Sequence, residues 1–100
     1  MIYSISIAEA AENDIREAFL YYEENKDNLG TTFEYQVNKA VGSIQSNPLK
    51  TQIRYGSTRV FFLNKFPFGI HFLVNKAEQA ILIVAVLHTS IDPKKWTGSV

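Results

Sequence analysis

The hydrophobic period of this chain changes once, near Pro48, and that change limits the folds open to it. Before Pro48, apolar residues recur every three or four positions: Ala11, Ile15, Ala18, Phe19 and Tyr22, then Phe33, Val37, Ala40, Val41 and Ile44. Such spacing lays one apolar stripe along each of two helices. Asn25-Lys-Asp-Asn-Leu-Gly30 reads as the loop between them. Thr31-Thr-Phe-Glu34 has the form of a capping box and predicts that the second helix starts at Thr31. Asn47-Pro48 ends it, because the residue before a proline is pushed away from helical geometry. Two helices joined by so short a loop predict an antiparallel hairpin.

Beyond Pro48 the pattern becomes that of strands. Val60 to Leu63 is apolar, and Phe68, Ile70, Phe72 and Val74 alternate with Gly69, His71, Leu73 and Asn75. Lys76-Ala-Glu-Gln79 reads as a turn, and Ala80 to Leu87 is continuous enough to be a buried central strand. Alternation from Ile2 to Ile7 adds a strand at the start. The predicted fold is α+β: an N-terminal strand, then an antiparallel helical hairpin packed on a mainly antiparallel sheet that a C-terminal three-stranded meander completes. With 100 residues the chain suffices for one core, so residues 1–100 are read as a single domain.

Composition removes several classes of function. There is no cysteine and there are two histidines, so neither a disulfide framework nor a metal site is expected. The five scattered glycines make no phosphate loop, and no cofactor is expected. Neither a long apolar span nor a signal-peptide pattern is present, which points to a cytoplasmic protein without a membrane partner. Net charge is zero but unevenly distributed: residues 1–36 carry eight acidic groups against two basic, and residues 37–100 the reverse. Either acidic helices and a basic sheet attract each other, or the basic half faces an anionic partner.

That basic half contains the candidate chemistry. Metal-free RNA cleavage needs a base, an acid and a cation at one phosphate. Arg59 can hold phosphate bidentately, and His71 or His88 can carry protons near neutral pH. Each has a plainer role available: a hydrogen-bonded structural histidine, or an Arg59 paired with Glu17 or Glu34. Phe61, Phe62, Phe66, Phe68 and Phe72 can stack bases, but core packing accounts for most of them. Tyr21-Tyr22 puts one ring inward and one outward, the outward ring being available to a partner.

Taken together, Asp14-Ile, Tyr21-Tyr-Glu, Leu29-Gly…Phe33, Ile44…Asn47-Pro, Gly56…Arg59, Phe66-Pro-Phe68 and Val86-Leu-His-Thr-Ser-Ile-Asp-Pro-Lys-Lys-Trp96 resemble the ParE/RelE toxin superfamily, and within it the ParE-like plasmid-stabilisation toxins. The resemblance covers essentially the whole chain. It implies a type II toxin neutralised by a cognate antitoxin whose disordered C-terminal segment folds over it. ParE-like members poison DNA gyrase, whereas RelE-like members cut mRNA on the ribosome; an inactive homologue serving only as a binding module is a third reading. Arg59, His71 and His88 are the candidate catalytic residues, and Arg59, Lys65, Phe68, Asp92, Lys94 and Trp96 the candidate target- or antitoxin-binding residues. Two positions depart from the family pattern: Phe68 stands where a tyrosine is usual, and Ile91 where an arginine is usual.

Overall fold

The change of period at Pro48 is the boundary between helices and sheet in the computed structural model, which describes residues 3–91. Strand β1 (Ser4–Ile7) leads into helices α1 (Glu9–Asn25) and α2 (Leu29–Ser46) and a 3₁₀ turn (Pro48–Lys50). Strands β2 (Ile53–Tyr55), β3 (Thr58–Phe62), β4 (Phe68–Asn75) and β5 (Ala80–His88) follow. The sheet order is β1-β5-β4-β3-β2. Strands β2 to β5 form an antiparallel meander, and β1 lies parallel to β5 with Ser4 opposite Ala80 and Ile7 opposite Ile83. The α+β class and the helix hairpin agree with expectation, but the meander has four strands, not three. The added strand, β2, has only three residues, one of them an exposed isoleucine, and offers no alternation to read.

The helix stripes bury against the sheet. Ala11, Ala18, Phe33, Val37, Ala40 and Ile44 meet Ile70, Phe72, Ile81, Ile83 and Val86 in one core. Tyr22, Phe33, Phe66 and Phe68 form its aromatic end, with Phe33 within 5.4 Å of the other three ring centroids. Those edge-on contacts identify Phe66 and Phe68 as packing residues first.

The start of α2 differs from the capping-box expectation. The helix begins at Leu29, two residues before Thr31, after Asn28 in left-handed geometry (φ 69°). Its first amides are satisfied from α1: the Gly30 and Thr31 N–H groups donate to Glu23 Oε1 at 2.9 and 3.3 Å. Glu34 therefore does not close a box on Thr31, because a carboxylate from the preceding helix already holds that amide. Gly30 lies inside the helix, not in the loop, where a Cβ would sit 2.6 Å from both the Phe19 carbonyl oxygen and Glu23 Cγ. Gly30→Ala is therefore expected to lower stability by about 1–3 kcal/mol through overpacking at the hairpin. Thermal denaturation of the purified variant measures it, and an unchanged midpoint would refute the tight crossing.

Between His71 and Phe72 the β4–β5 register shifts: His71 faces Ala85 while Phe72 faces Ile83, leaving Val84 as an extra residue. A bulge reverses the parity of the strand beyond it. Ile81 and Ile83 point at the helices before it, and Val86 does so after it. His88, two residues further on and opposite Phe68, shares that face. At the other end, Gln45 Nε2 donates to the Tyr3 carbonyl at 2.7 Å and ties α2 to the approach to β1.

Candidate functional site

The catalytic candidates stand apart. Arg59 pairs with Phe72 and so lies on the helix face of β3. Its Nη1 donates to the Thr51 and Leu49 carbonyls at 2.6 and 3.4 Å, anchoring the link between α2 and β2. Its partners are backbone oxygens, not the carboxylates of Glu17 or Glu34. His71 lies on the opposite face, fully buried, with Nδ1 2.9 Å from the Tyr55 hydroxyl. Burial alone lowers its pKa from 6.5 to about 4, so the ring is neutral at pH 7. His88 is at the far end of β5, where its Nδ1 accepts the Ser90 N–H at 3.0 Å and its ring stands edge-on to Phe68 at 5.2 Å.

Strand geometry gives the spacing. Arg59 is level with Phe72 and His88 with Phe68, four residues and two strands apart; that places their backbones about 17 Å from each other. Lys65 is exposed in the β3–β4 turn, at φ 72°. Asp92, Lys94 and Trp96 lie outside the described residues. Among the described residues no three His, Cys, Asp or Glu side chains cluster to hold a metal.

What the fold does assemble is a groove. Pairing of β1 with β5 stops at Ile83, so the edge of β5 beyond it has no strand neighbour among the described residues. Helix α1 runs beside that edge, and Asp14 Oδ2 accepts the Val86 N–H at 3.0 Å in place of a strand carbonyl. The resulting groove, about 470 Å³, is lined by Asp14, Glu17, Ala18, Tyr21, Tyr22, Phe68, Val86, Leu87, His88 and Ile91. Tyr21 is 62% exposed on its rim, while Tyr22 packs inward on Phe33 and Phe66. Burial raises the Asp14 pKa, the Val86 N–H opposes that rise, and the nearby Glu17 charge adds to it. Of these residues, the sequence pointed to Phe68, His88, Ile91 and one outward ring of the Tyr21–Tyr22 pair, which proves to be Tyr21. It missed Asp14 and Glu17 as site residues, although their three-residue spacing on α1 put them on one face.

The sequence from residue 5 to 93 matches the model of the ParE toxin of the type II toxin–antitoxin system parDE. The chain belongs to the ParE toxin family. No curated protein matches its sequence. Among solved structures, the chromosomal ParDE system of P. aeruginosa superposes with a TM-score of 0.76 at 15% identity, over 87% of this chain and 96% of that one. An E. coli RelE mutant in the free state gives 0.71 at 15%, over 99% and 95%. The RelBE2 toxin–antitoxin complex of Mycobacterium tuberculosis gives 0.62 at 14%, over 88% and 99%. At such identities these likenesses speak for the shared fold of ParE and RelE toxins. In this ParE-family chain, none of the described helices is long and apolar enough to cross a membrane.

Proposed function

We propose that this toxin acts in the cytoplasm by binding and not by cleaving: a ParE-like inhibitor of DNA gyrase, held in check by a cognate antitoxin. The separation of Arg59, His71 and His88 carries the reading. Phosphodiester cleavage needs its acid, base and cation within hydrogen-bond reach of one substrate. Here Arg59 Nη1 donates to two backbone carbonyls, His71 is buried on the other face, and His88 lies a strand-length away. The groove itself is lined by the carboxylates of Asp14 and Glu17 and by no lysine or arginine, which does not favour an RNA phosphate there. The open β5 edge and its aromatic groove suit strand addition or a docked helix of an antitoxin.

Expressed alone in bacteria, the protein is expected to arrest growth and induce the DNA-damage response while transcripts stay intact. Co-expression of the small protein encoded beside it is expected to restore growth. Fragmented transcripts would favour the endoribonuclease reading with Arg59, Lys65 and His88. Normal growth without the antitoxin would favour an inactive binding module.

A further inference from the structure

We infer that the groove between α1 and the open end of β5 receives a lysine or arginine of the bound partner, seated against Glu17 and Asp14 next to an apolar anchor. The inference rests on the antitoxin reading above and specifies the chemistry of the segment that neutralises the toxin. A segment that enters the groove passes Val86, whose N–H is held by Asp14 at 3.0 Å. Two carboxylates therefore stand at the point where a partner segment would pass, Asp14 already partly desolvated and repelled by Glu17.

No lysine or arginine lines the groove among the described residues; what it offers the pair is the Val86 N–H, which Asp14 accepts, and the His88 ring, whose Nδ1 already accepts the Ser90 N–H. Further burial by a neutral or acidic segment would add to the cost of both charges, whereas a cation seated between them offsets it. The remaining walls are apolar and aromatic, and the exposed face of Tyr21 suits both an aliphatic anchor and the stem of a basic side chain. The segment expected is thus short, with a basic residue close to a Leu, Ile, Val or Phe.

The test uses the full-length toxin and the protein encoded by the adjacent gene, followed by overlapping twelve-residue peptides of that protein. Fluorescence polarisation ranks the peptides, and each binder is measured against wild type, E17Q and E17K. Glu17 is exposed, so its variants leave the core intact, and circular dichroism checks this. The best peptide should carry the basic–apolar pairing and weaken at least tenfold against E17K, with E17Q between. Changing its basic residue to glutamate should abolish binding to wild type and restore it in part to E17K, a swap that a merely structural Glu17 would not support. Full-length partner binding that stays within twofold for E17Q and E17K overturns the inference and leaves the antitoxin reading standing. Absence of full-length binding overturns both. A toxin dimer that E17K dissolves would make a second copy the occupant and overturn it too.

Discussion

Phe33→Ala is expected to remove about 3–5 kcal/mol of stability, the usual cost of emptying a fully buried aromatic site. Phe33 has no exposed surface and touches Tyr22, Phe66 and Phe68, which come from α1, the β3–β4 turn and β4. Its removal loosens three elements at once, and with them the inner wall of the groove. Domains of this size hold about 5–15 kcal/mol in all, so the loss is a large fraction of the total. Urea denaturation followed by circular dichroism should show the midpoint fall steeply with little change in slope. Phe62→Ala is the control. Phe62 is 43% exposed, its ring lying over Gly69 and 5.4 Å from the Arg54 guanidinium, so its loss should cost only about 1 kcal/mol. Equal losses for the two phenylalanines would contradict the placement of the core.

Acid should destabilise the protein through His71. Its folded pKa, about 4, lies below the ordinary 6.5, so between those values the unfolded chain binds the proton and the folded one does not. Stability therefore rises with pH across that window and is lost as pH falls from 6.5 to 4. The integrated loss is about 3 kcal/mol, because a tenfold difference in proton affinity between the folded and unfolded chains corresponds to about 1.4 kcal/mol. Asp14 works in the opposite sense: its raised pKa favours the folded state as its carboxyl protonates. Only the difference between wild type and a His71 variant isolates the histidine. His71→Asn keeps a polar atom near Nδ1 for the Tyr55 hydroxyl, and its stability should vary much less across the same pH range. Parallel pH profiles for the two proteins would refute the buried neutral ring.

Much of this fold was readable because its signals are local. The stripes from Ala11 to Tyr22 and from Phe33 to Ile44, and the alternation from Phe68 to Val74, each follow from a few neighbouring residues. What escaped depends on contacts distant in sequence. Glu23 caps α2 from the preceding helix, which no pattern within Thr31–Glu34 reveals. The extra Val84 turns Val86 and His88 towards the helices, although the run from Ala80 to Leu87 looks uniform. Arg59 carries the right chemistry for phosphate, yet the sheet register directs it to the Leu49 and Thr51 carbonyls. The groove was legible only in part. Tyr21 stood out as an outward ring, but Asp14 and Glu17 looked like ordinary solvated acids until β5 was laid beside them.

On the proposed reading, the separation of Arg59 from both histidines and the groove beside α1 serve the binding of proteins and not the cutting of RNA. The most direct test is a gyrase supercoiling assay with purified toxin, relaxed plasmid and ATP, with and without its antitoxin. Loss of supercoiling in proportion to toxin, relieved by stoichiometric antitoxin, is the result this account predicts. Undiminished supercoiling at a large excess of folded toxin would contradict it.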